Sequence, residues 1–344
     1  MSRRQFLKLG IASLGSLAFS PYLQEPQLNA PEANKLVRVA TKSLSVYSQP
    51  DDQSLILFQH YRDDIVNVYY EVVSDKGPKY NPVWYRVWGG YLHRAHTQPV
   101  QNRLNPVLSQ IPNGNQISEV SVPFSQSMTY KTKEGWLPLY RLYYLSTHWI
   151  REIAEGPDGE PWYRIQDEVD HSYTYFVPAA HLRPIPPEEL TPISPEVDPF
   201  KKRIEVSISR QELTAYENDK VVLHTEICSG MFQPRLAGKI STKTPIGTYN
   251  VEVKMPSKHM GDGFMTDDKD AYELPGVPWC SFFVPDIGVA IHGTYWHTNY
   301  GTPMSHGCIN MRPEEAKWIF RWTTPVAPPN DRDARGFGTP VIVT

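Results

Sequence analysis

An internal repeat constrains this chain more than any other feature. Pro82-Val83-Trp84-Tyr85-Arg86-Val87, then Tyr91-Leu92-His93 and Pro99-Val100, is echoed by Pro161-Trp162-Tyr163-Arg164-Ile165, then Tyr175-Phe176-Val177 and Pro184-Ile185. Self-similarity of this kind means that one supersecondary unit is built twice, so a single architecture has to suit both copies. The runs ahead of each copy, Val37-Arg38-Val39-Ala40, Ile65-Val66-Asn67-Val68 and Trp149-Ile150-Arg151-Glu152-Ile153, alternate or are β-branched and suit half-buried antiparallel strands. Each copy closes a segment of about 60 residues, the size of a small β-barrel of short strands. Two such modules are expected, over 36–100 and 118–186, with Trp84, Tyr85, Trp162 and Tyr163 in their cores.

A length of 344 residues leaves room for a further compact unit. The chain carries 32 prolines, well above the average of roughly 5%. Several fall between Pro184 and Pro199, so 187–201 reads as a semi-rigid, extended linker. Beyond it, in 202–344, Arg203–Ile208, Gln211–Tyr216 and Val221–Ile227 read as a β-meander with Asn218-Asp219-Lys220 as one turn. Pro313-Glu314-Glu315 opens a helix, proline in its first turn and acids facing the positive end of the dipole, with Ala316, Ile319 and Phe320 as its apolar stripe. Met255 to Gly263 reads as a long polar loop able to cap a groove. A formal charge of −3, with no Lys/Arg block outside the extreme N-terminus, leaves no electrostatic footprint for nucleic acid.

The first residues, Ser2-Arg3-Arg4-Gln5-Phe6-Leu7-Lys8, precede an uncharged run from Leu9 to Leu23 that is shorter than the roughly 20 residues of a membrane span. Segment 1–23 resembles a bacterial twin-arginine export signal, which implies work in the cell envelope, on the periplasmic or extracellular side of the membrane. Ala18-Phe19-Ser20 offers small residues for cleavage but is followed by Pro21, and the membrane is expected as a partner only through an uncleaved signal. Three cysteines, 228, 280 and 308, describe no disulfide framework for an exported chain.

Cys308 lies in Gly-Thr-Pro-Met-Ser-His-Gly-Cys-Ile-Asn, residues 301–310, and three roles compete for it. As a nucleophile it needs a base, a group that orients the base, and donors for an oxyanion. His292 ends the apolar run Val289-Ala290-Ile291 and can be presented rigidly at a strand end, while Gly307 lets the backbone approach a substrate carbonyl. As metal ligands, His292, His297, His306 and Cys308 match no closed four-residue spacing, and a bound metal would occupy the thiolate. A Cys280–Cys308 disulfide would silence the thiol, and Cys280, beside Trp279 and Phe282-Phe283-Val284, is more simply a buried apolar residue.

Ile291-His292-Gly293-Thr294 followed by Ser305-His306-Gly307-Cys308-Ile309-Asn310 resembles the active-site signature of the L,D-transpeptidase catalytic domain, often called YkuD-like. Ser241 to Tyr249, with Thr244-Pro245-Ile246-Gly247, resembles the same family's Thr-Pro-x-Gly strand start. The Trp-Tyr-Arg-Val and Gly-Tyr-Leu-His endings of the repeat resemble bacterial SH3-like modules. The implied fold is mostly β: two SH3-like β-barrel modules, then a β-rich catalytic domain over 202–344 with a helix after the cysteine. The resemblance implies Cys308 as nucleophile and His292 as proton acceptor and donor, oriented by the backbone carbonyl of Gly293. The amides of His306, Gly307 and Cys308 would form the oxyanion hole in a loop shaped by Ser305. Tyr295, Trp296 and Asn310 would line the substrate groove, and Arg312 stands where a cation could meet a substrate carboxylate or simply be solvated.

The implied reaction is acyl transfer between peptidoglycan stem peptides through a thioester, with release of D-alanine and no cofactor or metal. Water or a protein amine as acceptor would make the same site an L,D-carboxypeptidase or an anchoring enzyme. The alternative from a different class is a degenerate wall-binding scaffold that holds peptidoglycan through residues 36–186.

Overall fold

A computed structural model describes residues 35–166, 174–231, 241–261, 273–329 and 331–344. The arginine-pair segment 1–23 lies outside the described residues, among which no helix is long and apolar enough to cross a membrane. Residues 35–344 form one compact unit that is mostly β.

The sequence repeat is a repeat of topology. In the first copy the strand Val83–Val87 pairs with Gly90–His93, a 3-10 turn at Arg94–His96 follows, and Thr97–Val100 closes back on the opening strand Lys35–Val39. In the second, Pro161–Gln166 pairs with Thr174–Pro178, a 3-10 turn at Ala179–His181 follows, and Leu182–Pro184 closes on Gln116–Val120. Trp84, Tyr85, Trp162 and Tyr163 are all buried. Consecutive buried aromatics are intelligible only where both faces of a strand are covered. Closed barrels, however, are not what the described strands make. The first copy divides into a three-stranded and a five-stranded sheet, and the second forms one seven-stranded sheet whose ends do not pair.

The residues after 201 build two five-stranded sheets around a common apolar core. The meander is present as Lys202–Ser207, Glu212–Glu217 and Lys220–Glu226. Its second turn is the two-residue loop Asn218-Asp219, both at positive φ (45° and 65°), the backbone that a tight hairpin matched to strand twist requires. The last strand, Pro340–Val343, runs parallel to Lys202–Ser207 and ties the chain's end into that sheet. The helix Pro313–Trp322 buries Ala316, Ile319, Phe320 and Trp322 against this core. Two buried lysines cap its C-terminal end, where carbonyls lack intrahelical partners. Lys202 Nζ donates to Trp322 O at 3.1 Å and Lys254 Nζ to Thr323 O at 2.8 Å. Burial lowers the Lys254 ammonium to a pKa of about 7.

One expectation from composition is corrected. Met255 to Gly261 is not a polar loop but part of the strand Val253–Gly261, which packs beside the second repeat: Thr147 Oγ1 donates to Pro256 O at 2.7 Å and Ser257 Oγ to Thr147 O at 2.5 Å. Asp262 and Gly263 lie outside the described residues. Polar residues disguised the strand, because Ser257 and His259 are buried and Ser257 bonds to the second repeat instead of solvent. The proline-rich segment packs against the residues on either side of it. Leu190 joins the common core, Arg183 binds Glu189 at 2.6 and 3.0 Å, and Arg321 Nε donates to Thr191 O at 2.9 Å. The Arg183 guanidinium, with Lys317, holds the Glu189 carboxyl down to about 2.

Candidate active site

Strands Val289–Gly293 and Ile309–Met311 lie side by side and parallel, with Ile291 opposite Ile309, His292 opposite Asn310 and Gly293 opposite Met311. Side chains alternate faces along a strand and match across a register pair, so His292 and Asn310 share a face. Cys308, two residues before Asn310, falls on that face at the strand's mouth. The parallel pairing thus sets an imidazole and a thiol, sixteen positions apart in sequence, on one face of adjacent strands. Gly293 is required here by space: a Cβ would stand 2.9 Å from both Pro278 Cγ and Pro313 Cα.

His292 is 2% exposed, and its ring nitrogen Nδ1 is 3.0 Å from Gly293 O. A carbonyl only accepts, so Nδ1 carries the proton and Nε2 is left with its lone pair. Burial depresses the imidazole to about 4, opposed by that hydrogen bond. The Cys308 thiol is pushed the other way, up to about 11, by burial, opposed by the Ala290 amide, and it donates to Gly288 O at 3.4 Å. At neutral pH the resting pair is therefore thiol and neutral imidazole, not thiolate and imidazolium. A thiolate at neutral pH would therefore need a base to take the thiol proton.

All three cysteines are free thiols, which corrects the Cys280–Cys308 alternative. Cys280 is buried with apolar neighbours, and Cys228 donates to Asn299 O at 3.0 Å, its thiol pushed up to about 12 by burial. Among the described residues no group of three or more His, Cys, Asp or Glu could hold a metal.

The loop before Cys308 is fixed by groups that lie far away in sequence. Gly307 adopts φ +125°, a backbone favoured only by glycine. Its amide donates to Ser305 Oγ at 3.1 Å, and Ser305 Oγ donates to Cys308 O at 2.5 Å. The Gly307 amide is thus spent inside the loop, which removes it from the expected oxyanion donors; the Cys308 amide has no protein partner among the described residues. Thr244, buried, accepts from Gly230 N at 2.8 Å and donates to Gly307 O at 2.8 Å. It is a clamp on the Cys308 loop, and the strand that its Thr-Pro-x-Gly stretch leads into starts at Gly247. Gly230 was not singled out by sequence, yet a Cβ there would meet Thr242 O at 2.1 Å and Gly307 N at 2.9 Å. Its only signal was adjacency to Cys228 and Ser229 in an otherwise unremarkable segment.

The expected groove residues divide. Trp296 is half-buried, with its ring 5.9 Å from that of His292. His306 is exposed. Tyr295 is 1% exposed and donates to Pro275 O at 2.9 Å, so it is a packing residue and not part of a groove wall. Asn310 is equally buried, beside His297 Nε2 at 3.1 Å. His297 Nδ1 accepts from Asn299 N at 3.3 Å, and burial pushes this imidazole down to about 3, so it is neutral and Nε2 must carry its proton. That proton needs an acceptor, which assigns the Asn310 amide oxygen to His297. Arg312 is not a free cation: it faces Glu226 and Glu315, each at 3.4 Å, and lies 4.6 Å from the Tyr300 ring centroid.

Residues 201–343 match the profile of YkuD, the L,D-transpeptidase catalytic domain. Among characterised proteins, L,D-transpeptidase 1 of Mycobacterium tuberculosis is 32% identical over 125 residues, covering 33% of this chain and 43% of that protein. The chain thus spans less than half the length of this curated relative. Among solved structures, the catalytic domain of the E. faecium L,D-transpeptidase is 31% identical, covers 42% of this chain and 96% of that one, with a TM-score of 0.30. An L,D-transpeptidase from Mycobacterium smegmatis is 20% identical over 51% of this chain and 74% of its own, with a TM-score of 0.33.

Proposed function

We propose that this protein is an exported peptidoglycan L,D-transpeptidase that uses Cys308 as its nucleophile. The observation that carries the reading is the pairing of a buried, neutral His292, its tautomer set by Gly293 O, with a thiol on the same face of two parallel strands. His292 Nε2 takes the thiol proton as sulfur attacks the carbonyl of the third residue of a donor tetrapeptide. The tetrahedral oxyanion is met by backbone donors of the 306–308 loop, the Cys308 amide first among them. Collapse releases D-alanine, with the proton returned from His292, and leaves a thioester. An amine of a second stem peptide then attacks, its proton again passing to His292, and a 3→3 cross-link and free thiol result. The Arg-Arg leader supports export to the envelope, where this substrate lies. The paired modules of SH3-like character belong to the same reading as wall-facing parts of the enzyme.

Mass spectrometry after exposure to a tetrapeptide stem or a carbapenem tests the assignment. An adduct should map to Cys308 and vanish in Cys308→Ala. His292→Ala should slow its formation by about 10²–10⁴-fold, the range for loss of a general base. An unchanged mass with the thiol shown to be reduced would overturn the proposal. Muropeptides from sacculi treated with the enzyme distinguish cross-linking from hydrolysis.

A further inference from the structure

The segment 295–302, between the base and the nucleophile, is held from outside the catalytic domain. Arg38, on the first strand of the first repeat, is 2% exposed and donates through all three nitrogens. Nη2 reaches Tyr295 O at 3.0 Å, Nη1 reaches Asp63 Oδ1 at 2.8 Å, and Nε reaches Gln98 Oε1 at 3.0 Å. The guanidinium also lies 3.9 Å from the centroid of Tyr143, on the second repeat. Arg141 binds the other oxygen of Asp63, and Gln98 donates onward to Tyr144 O at 2.7 Å. Further along, Thr298 Oγ1 donates to Arg94 O at 2.9 Å and Asn81 Nδ2 to Asn299 Oδ1 at 3.1 Å.

A buried ion pair is a poor adhesive. Removing two charges from water costs several kcal/mol per ion even after relaxation, and well-packed apolar residues often hold two surfaces as firmly. What the planar guanidinium adds is direction, because its fork fixes the position of one carbonyl. That carbonyl belongs to the residue before Trp296. The Trp296 indole stands edge-on to Tyr295 at 4.9 Å and lies 5.9 Å from the His292 ring. Displacing Tyr295 O therefore displaces the indole beside the base.

Resting on the reading of His292 and Cys308 above, we propose that Arg38 is a positioning residue for acyl transfer. By holding the Tyr295 carbonyl it fixes Trp296 across His292, and the first repeat thereby completes the active site of the same chain. The wall-directed role expected for this half is not needed to explain why Arg38 is buried.

The test uses the full chain labelled with 5-fluorotryptophan, the Trp296 resonance being identified by its loss in Trp296→Phe. Arg38→Met alone leaves Asp63 facing an apolar group and can fail to fold, so Arg38→Met with Asp63→Asn removes both charges together. In the double variant the Trp296 resonance should shift or broaden while the other tryptophans hold. The maximal rate of Cys308 acylation by a tetrapeptide donor should fall about tenfold or more, the scale of a slight misplacement, with half-saturation within about twofold. Rates are expressed per folded molecule, the folded fraction being read from near-ultraviolet circular dichroism. An unmoved Trp296 resonance, or a shifted one with an unchanged rate per site, overturns the proposal. Acylation that persists in Cys308→Ala would instead sink the site reading, and the fluorine signal would still report whether Arg38 governs Trp296.

Discussion

The Cys308 side and the His292 side of the candidate site are held in different ways. The nucleophile loop is clamped by its own domain: Thr244, Gly230 and Ser305 occupy the polar groups around Gly307 and Cys308. The segment following the base is clamped by another part of the chain, through Arg38, Asn81 and the Arg94 carbonyl. The C-terminal part is thus self-sufficient around Cys308 while leaning on the first repeat around the segment that follows His292. Substitutions on the two sides should differ accordingly.

The largest effect expected on stability is at the nucleophile clamp. Gly230→Ala drives a Cβ into backbone atoms that cannot yield cheaply, and should destabilise by about 3 kcal/mol or more, seen as a drop in the thermal midpoint together with lost Cys308 acylation. Full stability with full acylation in that variant would remove the clamp from the comparison. Next comes acidification, which acts mostly on the base side. His292 and His297 are depressed to about 4 and about 3, below the ordinary 6.5, by burial as neutral rings. Between pH 6.5 and 4 the unfolded chain binds more protons than the folded one, so stability should fall as pH falls through this window. His292 alone contributes about 3 kcal/mol of that loss, and His292→Gln should flatten the slope of the thermal midpoint against pH. A steeper slope in the variant would contradict the burial account. The same low value predicts that acylation per site stays level from neutrality down toward pH 4, because the base remains unprotonated.

Smaller still is Thr244→Val, which keeps the shape but strands the Gly230 amide and one acceptor, an expected loss of about 1–3 kcal/mol. Its acylation rate should fall on the thiol side alone, leaving the fluorine signal of Trp296 in place. Removing Asn81 as Asn81→Ala should cost least, about 1 kcal/mol, and should loosen only the 298–302 segment. Hydrogen exchange along that segment checks it.

Much of this was legible in the residues. The repeat announced two copies of one topology, since the same strand, turn and closing-strand chemistry recurs where the same burial is demanded. The meander and the helix at Pro313 followed from alternation, a two-residue turn and first-turn acids, all local signals. His292 and Cys308 could be singled out because a thiol needs a base and the glycines beside both mark tight backbone. The Met255–Gly261 strand was not legible, since its polar residues look solvent-facing when their partners on the second repeat are unseen. Gly230, Arg38 and the clamping role of Thr244 were hidden for the same reason: each acts through a contact 14 to 257 positions away.

The sequence by itself determined the strand-rich class and the duplicated N-terminal unit, because periodicity and turn residues are local properties. Only the tertiary structure decided that His292 stays neutral, that the Gly307 amide is already spent, that Tyr295 and Asn310 are interior residues, and that the segment 295–302 leans on the N-terminal half. Burial, desolvation and long-range hydrogen bonds set those outcomes, and none of them exists until distant parts of the chain are packed together.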